Sequence, residues 1–233
     1  MIVEGRNAVE ELVKSNGGVE KILIAKGAGN EALISLIKSS GIQYQFVARE
    51  GLDRIAQSKN HQGFIAYVSD YKYQDIKSVI KNASLVLLLD GVEDPHNLGN
   101  IIRTAECMGV DAIVIPKNRA ATVNETVIKV SAGAASHMKI CKVTNINQTI
   151  DFLKENEFWV YACELGGNNV ARENLKGKVA IVMGGEHKGV SHLTKKLCDR
   201  IVSIPMHGRV NSLNVANATA MILYEVQRQR GNK

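Results

Sequence analysis

Residues 84–109 read SLVLLLDGVEDPHNLGNIIRTAECMG. The run Leu85-Val86-Leu87-Leu88-Leu89 shows no polar alternation, which suits a strand buried on both faces. It is far short of the roughly 18 apolar residues a membrane span needs. A turn rich in Gly, Asp, Pro and Asn follows, and apolar spacing then predicts a helix from about Leu98 to Met108, with Asn97 as candidate cap. Strand, turn and helix in that order make a crossover unit, the connection that a parallel sheet requires.

The pattern continues downstream. Strands are predicted at 111–115, 138–143, 158–163, 179–183 and 201–204, and helices at 123–130, 147–155, 190–197 and 213–229. Strands alternating with helices imply an α/β domain whose mostly parallel sheet is covered on both faces. Upstream, helices are expected at 7–15 (Asn7 as cap), 30–39 and 51–57, and strands at 21–25, 43–47 and 64–68. Residues 70–82 are polar and lack strand character. The expected organisation is a small N-terminal α/β domain at 1–70, a linker with a short helix at 71–82, and a larger domain at 83–233.

Parallel sheets bind ligands at the carboxyl ends of their strands. Three loops occupy such positions: 91–99, 184–191 and 205–212. A dinucleotide fingerprint is missing, since the one Gly-x-Gly, Gly27 to Gly29, continues to Ala32. The loop Gly184-Gly185-Glu186-His187-Lys188-Gly189-Val190-Ser191 is close to a P-loop, but Val190 stands where the lysine must be. Nucleotide hydrolysis is a poor reading of it.

The same three loops carry a resemblance. The stretch 88–109 (LLDGVEDPHNLGNIIRTAECMG) resembles the first motif of the SpoU/TrmH-like methyltransferases of the SPOUT superfamily. The stretches 181–190 (IVMGGEHKGV) and 203–216 (SIPMHGRVNSLNVA) resemble the second and third. Gly5-Arg6-Asn7-Ala8-Val9 and His61-Gln62-Gly63 are similar to the substrate-binding domain of the RlmB-like subgroup, which methylates a guanosine ribose in large-subunit ribosomal RNA. The resemblance implies a C-terminal α/β-knot methyltransferase domain with a deep trefoil knot, a rare exception to normal connectivity. It implies S-adenosylmethionine as cofactor, transfer of its methyl group to a ribose 2′-hydroxyl, and a homodimer with the active site near the subunit interface.

By the same resemblance, Asn97, Arg103, Glu186, Ser212 and Asn214 are the expected catalytic residues. On bare sequence they read as a helix cap, a solvated arginine, a turn carboxylate, and part of an Asn211-Ser212 cap on the last helix. Gly184 is expected to let the backbone approach the cofactor, and backbone groups of Ile204, Met206 and Leu213 to ring the adenine. Bare sequence would call those three core residues. Ala216-Asn217 depart from the more usual Ser-Val of the third motif. In the N-terminal domain Arg6 and His61, together with Arg49, Arg54 and Lys59, are candidates to touch RNA phosphates. Tyr44, Phe46, Phe64 and Tyr67 sit in strand patterns, where core packing is the first expectation and base stacking the second.

The 233 residues carry 29 basic and 23 acidic side chains, a formal charge of +6, which favours an anionic partner such as RNA. No Lys/Arg tract stands out, so an RNA-binding face must be assembled by folding. Cys107, Cys141, Cys163 and Cys198 are widely spaced and the six histidines show no ligand motif. Four buried thiols in a reducing compartment, and no metal, are expected. The N-terminus has no basic-then-apolar pattern, so a cytoplasmic protein with no membrane partner is expected. The leading function is 2′-O-methylation of a guanosine in large-subunit ribosomal RNA. Its rivals are the same chemistry on transfer RNA and a non-catalytic RNA-binding ribosome assembly factor.

Overall fold

The computed structural model describes residues 1–15, 18–56, 60–186, 188–209 and 212–231. In chain order the first elements are β1 (Ile2–Glu4), α1 (Arg6–Lys14), β2 (Val19–Ala25), α2 (Glu31–Ser39), β3 (Gln43–Val47), α3 (Arg49–Ile55) and β4 (Phe64–Val68). There follow α4 (Ile76–Val79), β5 (Leu85–Asp90), α5 (Pro95–Cys107), β6 (Ala112–Pro116), α6 (Glu125–Val130), β7 (Ile140–Val143) and α7 (Ile146–Glu155). The chain ends with β8 (Trp159–Asn169), β9 (Val179–Gly184), α8 (His192–Leu197), β10 (Arg200–Ser203) and α9 (Val215–Arg230). Two units emerge: Met1–Lys72 with Val123–His137, and Tyr73–Thr122 with Met138–Lys233.

In the first unit the sheet order is β1-β4-β2-β3. β2 and β3 run parallel, while β4 is antiparallel to both β1 and β2. The helix α1 turns Ala8, Val9, Leu12 and Val13 inward, a spacing that repeats every three to four residues. Its start differs from the expectation. Gly5, at φ 102°, holds the cap position and Asn7 lies inside the helix. Residues 123–137, expected within the larger domain, are held here: Glu125 accepts from the Ile2 amide at 2.9 Å and Glu11 pairs with His137 at 3.1 Å. Tyr44 and Phe46 depart from the core expectation. They pack edge to face, with ring centroids 6.0 Å apart, and are exposed on the edge strand β3. Phe64 is buried as expected.

The second unit holds a six-stranded sheet of order β10-β8-β9-β5-β6-β7, parallel at every pairing. β5 lies near the centre between β9 and β6, which is why its sequence is an unbroken apolar run. Val86 and Leu88 join one core layer with Ile146, Ile150 and Leu153 of α7. Leu85, Leu87 and Leu89 alternate to the opposite face, where α5 and α9 pack against each other and α9 against β9. Val79 and Ile80, inside the stretch expected as linker, are buried in the first of these layers. No helix among the described residues is long and apolar enough to cross a membrane.

β8 runs six residues past its expected end. Its register against β10 jumps: Ile201 opposes Ala162, yet Val202 opposes Asn168. Residues 163–167 therefore have no ladder partner in β10, and beyond Cys163, which still pairs with Met183 of β9, the segment can form a wall above the sheet. Leu88 is fully buried in the central strand. Leu88→Ala is expected to lower unfolding free energy by about 2–5 kcal/mol, read as a reduced urea midpoint; a loss under about 1 kcal/mol would contradict this packing.

Candidate active site

The carboxyl ends of β5 and β9 meet a glycine-rich loop whose packing is backbone against backbone. The amide of Gly185 donates to Asp90 at 2.9 Å and that of Gly189 to Gly185 at 2.9 Å. A Cβ on Gly184 would overlap the backbone of Gly189 and Val190, and one on Gly185 would overlap Gly91. Glycine is needed at 184 for a different reason from the one expected: chain must touch chain, before any ligand is considered. The Asp90 carboxylate then accepts from the Ser191 amide at 3.0 Å and ties the loop's far end to the end of β5.

A cavity of about 380 Å³ opens beside this loop. That lies within the roughly 300–1,000 Å³ usual for small-molecule sites. The loop 184–189 forms one wall, the 163–165 segment of β8 another, and residues 202–206 with 212–215 a third. Gly184, Ile204, Met206 and Leu213 all line it, as do Glu186 and Ser212. Ile204 and Met206 are only half-buried and Leu213 is exposed, so they are wall rather than core. Beyond the loop, sharing Gly185, Glu186, Lys188 and Gly189 with the first, lies a more polar cleft of about 1080 Å³ that includes Asp90, Glu93, Arg119 and Lys195.

Asn97 and Asn214, 117 residues apart, are joined: the Asn214 Nδ2 donates to the Asn97 Oδ1 at 3.0 Å. The helix caps near them differ from those the sequence suggested. Asp94, not Asn97, caps α5, accepting from His96 and Asn97 amides at 3.2 Å each, with Pro95 in the first turn. Asn214, rather than the expected Asn211-Ser212 pair, caps α9 through the Ala216 and Asn217 amides; Asn211 itself lies outside the described residues. Asn97 is 7% exposed, and its side-chain oxygen is held by the residue that caps α9.

Arg103 is not brought to the cavity. With α5 beginning at Pro95, Arg103 falls in its third turn, is exposed, and does not line either cavity. Asn97 and Arg103 lie six residues apart, about 9 Å along the axis and two-thirds of a turn around it. A direct contact between them within one chain is not made; the Asn97 oxygen accepts from Asn214 instead. Asn217 is exposed on α9.

In the N-terminal unit the two motif stretches do meet. The Arg6 amide donates to the Gln62 Oε1 at 3.1 Å and the Gly5 amide to the Phe64 carbonyl at 3.2 Å. The Arg6 side chain is exposed. His61 is corrected from a phosphate contact to a buried brace. It is 1% exposed, its Nδ1 accepts from the Gly63 amide at 3.0 Å and its Nε2 lies 2.9 Å from Asp53. No ring nitrogen is left for RNA. Arg49 and Arg54 are exposed, and Lys59 lies outside the described residues. The thiols also differ from expectation, since Cys107 is exposed; burial pushes the Cys141 thiol up to about 11. Among the described residues no cluster of metal-ligating side chains occurs. Glu164, which lines the cavity and bonds the glycine loop, was missed, because a lone carboxylate at a strand end carries no local signal.

Residues 84–224 match the family model described as SpoU rRNA Methylase family, and residues 2–74 that described as RNA 2′-O ribose methyltransferase substrate binding. A relative in Staphylococcus saprophyticus, named as a TrmH family tRNA/rRNA methyltransferase, is 41% identical across 99% of this chain and 96% of its own length. The SpoU methyltransferase AviRb from Streptomyces viridochromogenes, solved with its cofactor AdoMet, superposes with TM-score 0.84 at 22% identity, covering 99% of this chain and 90% of that one. A structure titled RNA 2′-O ribose methyltransferase gives TM-score 0.79 at 25% identity over 99% and 88%. With the parallel six-stranded sheet, these neighbours make the fold the α/β SPOUT fold that the sequence implied.

Burial raises the Asp94 carboxyl, but the His96 amide, the Asn97 side chain and the Asn97 amide outweigh it and hold the group below its ordinary 3.8. Its contribution to stability is therefore full above 3.8 and is lost as pH falls through the lower folded value. Asp94→Asn, which still caps, is expected to flatten the acid limb of stability in urea melts between about pH 2 and 5. An unchanged acid limb would show that Asp94 is not held this way.

Proposed function

The chain belongs to the SpoU rRNA methylase family of RNA methyltransferases, and on that premise we propose that it methylates the ribose 2′-hydroxyl of a guanosine in large-subunit ribosomal RNA. The observation that carries this reading is the cavity at the strand ends, walled by the second and third motif loops and flanked by Asn214, which bonds Asn97 of the first. Its chemistry suits S-adenosylmethionine. Met183, Val202, Val215 and Ile222 offer an apolar surface for adenine, while Glu186, Ser203 and Ser212 offer acceptors for the polar end and its positive charge. When bound, that cofactor supplies an electrophilic methyl group on a sulfonium.

The protein's part is to bind and orient the ribose and to receive one proton. The 2′-oxygen forms its bond to the methyl carbon as the carbon–sulfur bond breaks, and the hydroxyl proton must leave. A guanidinium holds its protons too firmly to act as a general base at neutral pH, which argues against that role for Arg103 from the outset. We assign it instead to the phosphate and ribose of the target, with proton transfer late, when the oxygen is already bonded. Asn97 and Asn214 fix the starts of α5 and α9 and hold the first and third loops together. Glu186 reaches both cavities from the glycine loop.

Arg103 lies away from its own chain's cavity, which favours a homodimer whose sites lie near the interface. Met221 (48% exposed) and Tyr224 (61%), three residues apart on α9, supply apolar surface for it. Residues 1–70 act in this reading as the RNA-binding domain, with exposed Arg6 near the Gln62 turn, and the enzyme works in the cytoplasm. The net charge of +6 implies RNA affinity that falls with salt. The full-length N-terminal match favours ribosomal over transfer RNA.

Radiolabelled S-adenosylmethionine, incubated with the protein and unmodified large-subunit ribosomal RNA or transfer RNA, tests this. Label in one ribosomal guanosine after nuclease digestion is expected; label only in transfer RNA would overturn the substrate assignment. Arg103→Ala is expected to cut kcat by about 100-fold or more, and Arg103→Lys to remain at least about tenfold impaired, because a point charge does not replace a guanidinium fork. Near-normal turnover of Arg103→Lys would end the role given to Arg103.

A further inference from the structure

The bowed segment of β8 carries one side chain across to the glycine loop. Glu164 Oε2 accepts from the Val190 amide at 3.0 Å, and Lys195 Nζ lies 3.5 Å from the same oxygen. Its Oε1 accepts from the Leu165 amide at 3.3 Å. The carboxylate occupies the space a side chain on Gly189 would need, and Gly189 has φ +59°. Glu164 thus fastens the Val190 end of the 184–190 loop, while Asp90 holds the loop's beginning through its carbonyl and the Gly185 amide and the following Ser191 amide through its carboxylate. Between these ties lie Glu186 and Lys188, both lining the cofactor cavity and the polar cleft beyond.

The geometry points to Glu164 as a positioning residue for the methyl donor: by holding the Val190 amide it sets the loop wall against which S-adenosylmethionine binds. A charged acceptor suits this place, because a carboxylate accepts a backbone N–H more strongly than a neutral oxygen does and is itself partnered by Lys195. Glu164 is only partly buried, so the bond to the Val190 amide is made where the cavity opens to solvent. Loss of the carboxylate would free the Val190 amide, with Ser191 still held by Asp90 and β8 and β9 still paired through their own ladder. The proposal rests on the cavity being the cofactor site.

The test uses the full chain in two steps. Without cofactor, amide hydrogen exchange compares wild type, Glu164→Ala and Glu164→Gln. In Glu164→Ala the Val190 amide is expected to exchange at least about tenfold faster, while Ile181 and Val182 amides keep their protection. Calorimetric titration of S-adenosylmethionine is then expected to show Kd raised about tenfold in Glu164→Ala and restored to within about threefold in Glu164→Gln, which keeps an acceptor oxygen. Unchanged Val190 exchange, or wild-type affinity in Glu164→Ala, would overturn the proposal. So would equal loss of protection at Ile181 and Val182, which would mark a general structural role. If wild type itself fails to bind S-adenosylmethionine, the reading of the cavity falls instead, and the exchange result still decides whether Glu164 holds the loop.

Discussion

Gly184 and Gly185 sit where two other backbones pass, Gly189–Val190 on one side and Gly91 on the other, and there is no volume for a side chain at either. Such contacts between main chains are stiff, since neither side has a rotamer to yield. The glycine loop can therefore close only in one way above β5 and β9. Everything at the site follows from that closure. The Asp90 carboxylate reaches Ser191, Glu164 reaches Val190, and the enclosed space opens towards the 202–206 and 212–215 segments. Apolar strands beneath supply the rigid floor, and the loops supply the chemistry, a division common to open parallel sheets.

A second joint works through polar groups. Asn97 and Asn214 each stand at a helix start, and one amide–amide bond ties those starts together across 117 residues of chain. Asp94 secures α5 and the Asn214 oxygen secures α9, so the shared bond links two already capped helices. The first and third loops are thereby joined, with the second loop packed against Gly91. Arg103 stands outside this assembly, exposed on α5.

Much of the fold was legible. The unbroken run at 85–89 announced a buried parallel strand, and the 3.6-residue spacing of α1, α2 and α9 located them within a few residues. Helix starts were read less well. At 94–97 two capping residue types compete, and Pro95, which favours the first helical position, was the available clue in favour of Asp94. The second half of β8, Leu165–Asn169, reads as a glycine-rich loop; its strand character comes from pairing with β10, a long-range fact with no local trace. β1 is three residues long and exists because β4 lies beside it. For the site, residue spacing alone would have called Ile204, Met206 and Leu213 core, and only the motif resemblance marked them as cavity wall. His61 misled in the other direction: a histidine beside a glycine turn suggests a surface contact, yet Asp53 and Gly63 satisfy it inside the unit.

We propose that a cavity closed by backbone packing at Gly184 holds the methyl donor. The most direct measurement is calorimetric titration of S-adenosylmethionine into wild type and Gly184→Ala, with circular dichroism of both. One site per chain is expected in wild type, with a negative heat-capacity change from apolar burial, and no measurable binding in a Gly184→Ala protein that keeps its secondary structure. Wild-type affinity in Gly184→Ala, or binding at another stoichiometry, would contradict it.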